Sequence, residues 1–193
     1  MSILLLALIY FLIGSGVKYV DAAYDENTFS RRYALYLAIL LGFIAGMTMI
    51  WDQPTLIIFL SLIIGVTVTG KLDIIPFQVL TAIAVLMPSC YYRASIPLSW
   101  NNGYLIMLLS FGAAIDEIGN DLADASVLKN KLRVFFLYRG YLKVVIGIIA
   151  VLHYLHWSYA VAFMSFDIGY LLVTRLSERR VAQMEYASRL LVR

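Results

Sequence analysis

Apolar runs long enough to cross a lipid bilayer fill most of this chain, and they restrict the fold more than any other feature. A hydrocarbon core about 30 Å thick takes about 20 helical residues at about 1.5 Å each, and within it the backbone must satisfy its own hydrogen bonds. Such runs lie at 3–23, 33–51, 54–70, 73–91, 102–120, 134–152 and 157–176. They predict an all-α, polytopic transmembrane helix bundle of about seven spans, one domain over 1–176 with a basic amphipathic cytoplasmic tail at 177–193. A chain that is 62% hydrophobic and only 14% charged is excluded from the soluble globular class. Turn signals in the connections, Asp52-Gln53-Pro54 and Thr69-Gly70-Lys71 among them, are short and predict antiparallel neighbours in chain order. The first run lacks a basic leader and a small-residue cleavage site, so it reads as a retained span. A single cysteine, Cys90, excludes an internal disulfide and leaves the redox compartment open.

Lysine and arginine set the expected orientation, because cytoplasmic connections retain them. Arg31 and Arg32, Lys71, Lys129, Lys131 and Arg133, and then Arg175, Arg179 and Arg180 fall on one side of a seven-span zigzag, with Arg93 opposite. The N-terminus is therefore expected outside and the C-terminus inside, in a multi-pass protein of the cell membrane. Trp51, Tyr91, Tyr92, Trp100 and Trp157 are placed at the outer interface, as an aromatic belt. Val181, Met184 and Leu191 among the tail arginines suit an interfacial helix on the anionic inner leaflet. The glycines at 14, 16, 42, 46, 112 and 147 are read as sites of close helix packing.

The charges that remain near the membrane are the candidates for function. Asp116, Asn120 and Asp124 form one helical stripe at the end of the fifth run, with Glu117 and Asp121 beside it, and Asp21 and Asp25 are again four apart at the end of the first. Both groups are expected at the cytoplasmic ends of their helices, where Lys71 and Asp73 can join them. Carboxylates at a helix C-terminus oppose its dipole, so a cation is expected to offset them. Magnesium, which binds through one or two carboxylates plus phosphate, is the natural choice. Arg139 and Lys143 inside the sixth run and Asp167 inside the seventh call for partners in the bundle interior. An ion pair of Asp167 with one of those bases is the simplest reading. His153 and His156 lie at the other end and read as solvated.

This pattern resembles the UbiA family of intramembrane prenyltransferases, which carries NDxxDxxxD and DxxxD-type motifs at the cytoplasmic ends of two helices four spans apart. Asp21-xxx-Asp25 resembles the second half of the first motif, with Arg31 or Arg32 as the arginine that follows. Asn120-xxx-Asp124, preceded by Asp116 and Glu117, resembles the second. Val17 and Lys18 stand where the first motif begins with Asn-Asp, Asn120 replaces a leading aspartate, and seven spans replace the usual nine. The resemblance implies that Asp21, Asp25, Asp121 and Asp124 hold Mg2+ on an isoprenoid diphosphate. Asp116 and Asn120 would complete the catalytic set, with Arg31, Lys71, Arg139, Lys143 and Asp167 facing the substrate. It also implies an apolar tunnel for the prenyl tail and transfer of the prenyl group to a small or lipid acceptor.

Two other classes use the same residues. A cation or proton-coupled transporter or channel would line its path with Asp116, Asp167 and Lys143. An intramembrane aspartyl protease would use Asp21 and Asp73, since Gly70-Lys71-Leu72-Asp73 is similar to the GxGD motif of prepilin peptidases except at Leu72. A non-catalytic membrane subunit is the fourth reading. The expected partners are the lipid bilayer and a lipid diphosphate, with no nucleic acid, and a homo-oligomer is compatible with the chain.

Overall fold

The computed structural model describes residues 2–92 and 100–191; Arg93, expected opposite the other basic residues, lies outside them. Among the described residues the chain is all helical: α1 Ile3–Tyr24, α2 Arg31–Trp51, α3 Gln53–Val68, α4 Ile75–Tyr92, α5 Trp100–Asp124, α6 Asn130–Leu137, α7 Gly140–Val151 and α8 Trp157–Leu191. By length and composition α1, α2, α4 and the Trp157–Met184 part of α8 can each cross a membrane. A fifth candidate arises if α6 and α7, bent by 75° at their junction, count as one broken span. The apolar run at 54–70 becomes α3, only 16 residues or about 24 Å long.

The straight span expected at 134–152 is corrected by that bend. Tyr138 ends α6, and Arg139 takes a left-handed conformation at φ 47° before Gly140 begins α7. Phe135 packs where a Cβ on Gly140 would sit and Phe136 where one on Gly119 would sit, so aromatic packing against two glycines fixes the break. Arg139 is thus the residue before a helix, not one inside it.

Two helices start at a local side-chain cap. Ser2 accepts from the Leu5 N–H to begin α1, and Asp52 begins α3 by accepting from the Thr55 N–H at 3.0 Å and its hydroxyl at 2.6 Å, with Pro54 in the first turn. Leu6, Tyr10, Ile13 and Val20 of α1 face the interior, while Leu4, Leu8 and Leu12 are exposed along the opposite side.

The closest packing joins helices that are not consecutive: α1 with α8, α2 with α4, and α3 with α5. The expectation that short connections make chain neighbours the main partners is revised accordingly. Apolar surface gives little drive for association when the solvent is itself hydrocarbon, so small residues that let backbones approach decide the pairs. A Cβ on Gly14 would lie 2.1 Å from the Phe166 carbonyl oxygen, and one on Gly169 would lie 2.4 Å from that of Phe11. Gly16, Gly42 and Gly46 likewise leave room for Leu41, Ile83 and Met87. Gly147 does not fit the packing expectation, because a Cβ there meets nothing within 4 Å.

Side-chain links sort the connections into two ends. At one end the α1–α2 turn bonds to α8, where the Thr28 and Ser177 hydroxyls lie 2.6 Å apart and Arg180 donates to the Thr28 carbonyl at 3.3 Å. The α3–α4 turn joins the same end through Lys71 and Asp121. At the other end Tyr159 donates to Asp52 at 2.9 Å and Tyr92 to the Ile50 carbonyl at 2.7 Å, and Trp51, Tyr91 and Trp157 are exposed.

Candidate functional site

Among the described residues the helices border a cavity of about 450 Å³, and both acidic clusters line it. Asp21, Asp25 and Glu26 come from the end of α1 and Asp116 to Asp124 from the end of α5; Lys71 and Asp73 come from the α3–α4 turn, and Asp167 from α8. Each helix contributes apolar residues further along the same wall. On α1 the lining passes from Asp21 through Lys18 to Ile13, about 12 Å along the axis. On α5 it passes from Asp124 to Ala113, about 16 Å. Phe59 and Ile63 of α3, Leu80 and Ala84 of α4 and Phe163 of α8 complete the apolar part. The cavity is therefore amphipathic, with a charged mouth leading to a hydrocarbon interior.

The mouth is built from acid–base pairs. Buried Lys18 donates to Asp21 at 2.7 Å and to Glu26 at 3.1 Å, and its ammonium lies 5.7 Å from the centre of the Tyr170 ring. The other oxygen of Glu26 accepts from the fully buried Ser177, which ties this cluster to α8. Arg139 is 3.0 Å from buried Glu117 and stacks on the same Tyr170 ring at 4.8 Å. Lys71 meets Asp121 at 2.5 Å in a more exposed pair, and that bond holds the Lys71 ammonium above its usual range. Lys143 and Asp167 are 2.7 Å apart, which realises the ion pair that two mid-helix charges call for and selects Lys143 over Arg139 as the partner. Asn120 donates to Asp124 at 3.1 Å.

Asp116 and Asp25 stand outside this pattern for different reasons. Asp116 is buried, and its two oxygens accept from the backbone N–H groups of Tyr141 at 3.0 Å and Leu142 at 2.7 Å. It caps α7 from another helix, because Arg139 offers no side-chain cap of its own. Asp25 is exposed at the mouth, and partial burial, then Asp21 and Asp73, raise its carboxyl above the ordinary value.

Arg31, the arginine expected on the substrate, does not line the cavity; it donates to Asn27 at 2.7 Å and to the Tyr24 carbonyl and stacks on the Tyr24 ring. Lys18, in place of Arg31, is the base from this part of the chain that lines the cavity. Lys18, Glu26 and Tyr170 were missed, although a lysine three residues before Asp21 inside an apolar run is itself a signal of an interior partner. Among the described residues no three of His, Cys, Asp and Glu converge to hold a metal ion unaided. The donors that line the cavity are carboxylate oxygens, the ligand type that hard cations such as magnesium and calcium take, and they do not form a closed cage. Compared with protein-family models, curated proteins and solved structures, the chain matches none.

Proposed function

We propose that this chain is a UbiA-like intramembrane enzyme that binds an Mg2+–prenyl diphosphate and transfers the prenyl group to a small or lipid acceptor. The observation that carries the reading is the convergence of the two acidic helix ends on one amphipathic cavity. A prenyl diphosphate has the matching form, a highly charged head on a hydrocarbon tail. All seven charged residues of this scheme line the cavity: in this reading Lys18, Lys71 and Arg139 would meet phosphate oxygens, and Asp21, Asp25, Asp121 and Asp124 would hold the cation. Bound Mg2+ would supply charge neutralisation to a departing diphosphate. The walls of Phe59, Leu80, Phe163 and their neighbours keep water from the tail, which strengthens every charge interaction at the mouth.

In this reading the chain crosses the membrane seven times, with α3 as a short span and α6–α7 as a broken one. The N-terminus is outside, and the charged mouth faces the cytoplasm beside Arg31, Lys71 and Arg180. The test is retention of tritiated geranylgeranyl diphosphate by purified protein with and without Mg2+. Mg2+-dependent retention that is lost in Asp25→Asn/Asp124→Asn supports the reading; no retention by folded wild type removes it.

Cation transport is the second reading, favoured by the Lys143–Asp167 pair on the cavity wall. It requires Asp167→Asn to abolish flux in proteoliposomes, and unchanged flux removes it. Asp116 serves it less well, since both its oxygens are engaged by backbone amides.

A further inference from the structure

Every base that lines the cavity is already held by a carboxylate that lines it too. Lys18 is on Asp21 and Glu26, Lys71 on Asp121, Arg139 on Glu117 and Lys143 on Asp167, all at 2.5 to 3.1 Å. Acids outnumber bases on the lining, nine to four, and Asp25, Asp73, Asp116 and Asp124 form no ion pair among the described residues, Asp116 being engaged by the α7 amides.

An anion arriving alone therefore meets a net negative mouth whose cationic groups are occupied. A cation arriving alone is attracted, but among the described residues it finds no three carboxylates converging on one point. When the two arrive together, each carboxylate can turn from its base to the cation while the released base turns to the phosphate. The number of ion contacts is kept and no buried charge is left unpaired.

We infer that the mouth exchanges partners, so that it takes a divalent cation and a phosphate group only as a pair, each raising affinity for the other. This rests on the proposed reading of the cavity as a lipid-diphosphate site and adds how that site is switched. It also assigns a second role to the acids: Asp121 keeps Lys71 from binding phosphate until a cation is present.

The variant that separates this from ordinary ligation is Asp121→Asn, in the most exposed of the pairs and so the least costly to the fold. Binding of a thio-linked geranylgeranyl diphosphate is measured by calorimetry in detergent, in EDTA and in Mg2+, for wild type and variant. Wild type is expected to gain at least about tenfold in affinity with Mg2+, within the usual range for coupled sites. In EDTA, Asp121→Asn is expected to bind more tightly than wild type by about fivefold, because Lys71 is freed. Its response to Mg2+ shrinks correspondingly.

A variant that binds no better than wild type in EDTA overturns the exchange, and leaves the lipid-diphosphate reading standing if wild type still binds with Mg2+. Equal wild-type affinity in EDTA and Mg2+ also overturns it. Failure of wild type to bind under either condition overturns both.

Discussion

Replacing Asp116 with alanine strips the first turn of α7 of two acceptors. The Tyr141 and Leu142 amides, bonded at 3.0 and 2.7 Å, have no place in the helical ladder, and Arg139 provides no cap in their stead. A hydrogen bond to a charged partner contributes about 1.5 to 3 kcal/mol, so two give about 3 to 6 kcal/mol. The carboxylate also lies at the positive end of the α7 dipole, a term that is largely contained in those bonds. Asp116 borders the cavity, where water can reach the bared amides, which places the expected loss near the lower limit, about 3 kcal/mol. Asp116→Asn keeps one acceptor oxygen and forces an NH2 group toward an N–H, so about half of the loss, roughly 1.5 kcal/mol, is expected. Reversible unfolding by SDS in mixed micelles, followed by far-ultraviolet circular dichroism, gives both values. Losses below about 0.5 kcal/mol for the alanine variant, the range of ordinary surface changes, would refute the capping role. So would an asparagine variant that is fully stable yet has lost all Mg2+-dependent diphosphate binding, since Asp116 would then act on the ligand.

Three further outcomes are expected. Gly14→Ala sets a Cβ 2.1 Å from the Phe166 carbonyl oxygen and should lower stability by at least about 1 to 3 kcal/mol, whereas Gly147→Ala, with open space around it, should be neutral or raise stability by up to about 1 kcal/mol; the same SDS titration compares them. Asp25 has a folded-state value raised above the unfolded one near 3.9, so its contribution is stabilising below that pH and is lost as pH rises through the folded value. Asp25→Asn should therefore raise the melting temperature at pH 7 relative to wild type and leave it unchanged near pH 3, a difference scanning calorimetry in detergent reads. Lys18→Ala should abolish diphosphate retention and Arg31→Ala should leave it within about twofold, because only the former faces the cavity; equal losses in the two filter-binding assays would contradict this placement.

The long helices were legible because hydrophobic run length is a local property: α1, α2, α4 and α8 begin within a few residues of the apolar runs that announce them. The break at Tyr138 was not, since it depends on Phe135 and Phe136 of α6 finding Gly140 of α7 and Gly119 of α5, the latter far away in the chain. The spacing of Asp21 with Asp25 and of Asn120 with Asp124 marked two helix ends, and the cavity brings these ends together. Roles within the site depended on contacts that no spacing displays. Asp116 and Asp124 share a helical stripe, yet one is spent on the α7 amides and the other lies at the mouth beside Asn120. Arg31 follows Asp25 in the chain but folds back on Asn27 and Tyr24, while Lys18, one turn before Asp21 on the same helix, is the base that reaches inside. Pairing of Asp167 was expected from the cost of an isolated charge within a span; that Lys143 is the partner follows from the bend, which makes Arg139 the residue before α7 and leaves Lys143 on its first turn.

Whether α1 and α5 act on one ligand is read from the thermal stability of the detergent-purified protein with Mg2+ and geranylgeranyl diphosphate. Wild type, Asp25→Asn, Asp124→Asn and the double variant are compared. A single site predicts a stabilising shift in wild type that requires both Mg2+ and diphosphate, is largely lost in each single variant, and falls no further in the double variant. No shift in folded wild type, or losses that add independently between Asp25 and Asp124, would contradict it.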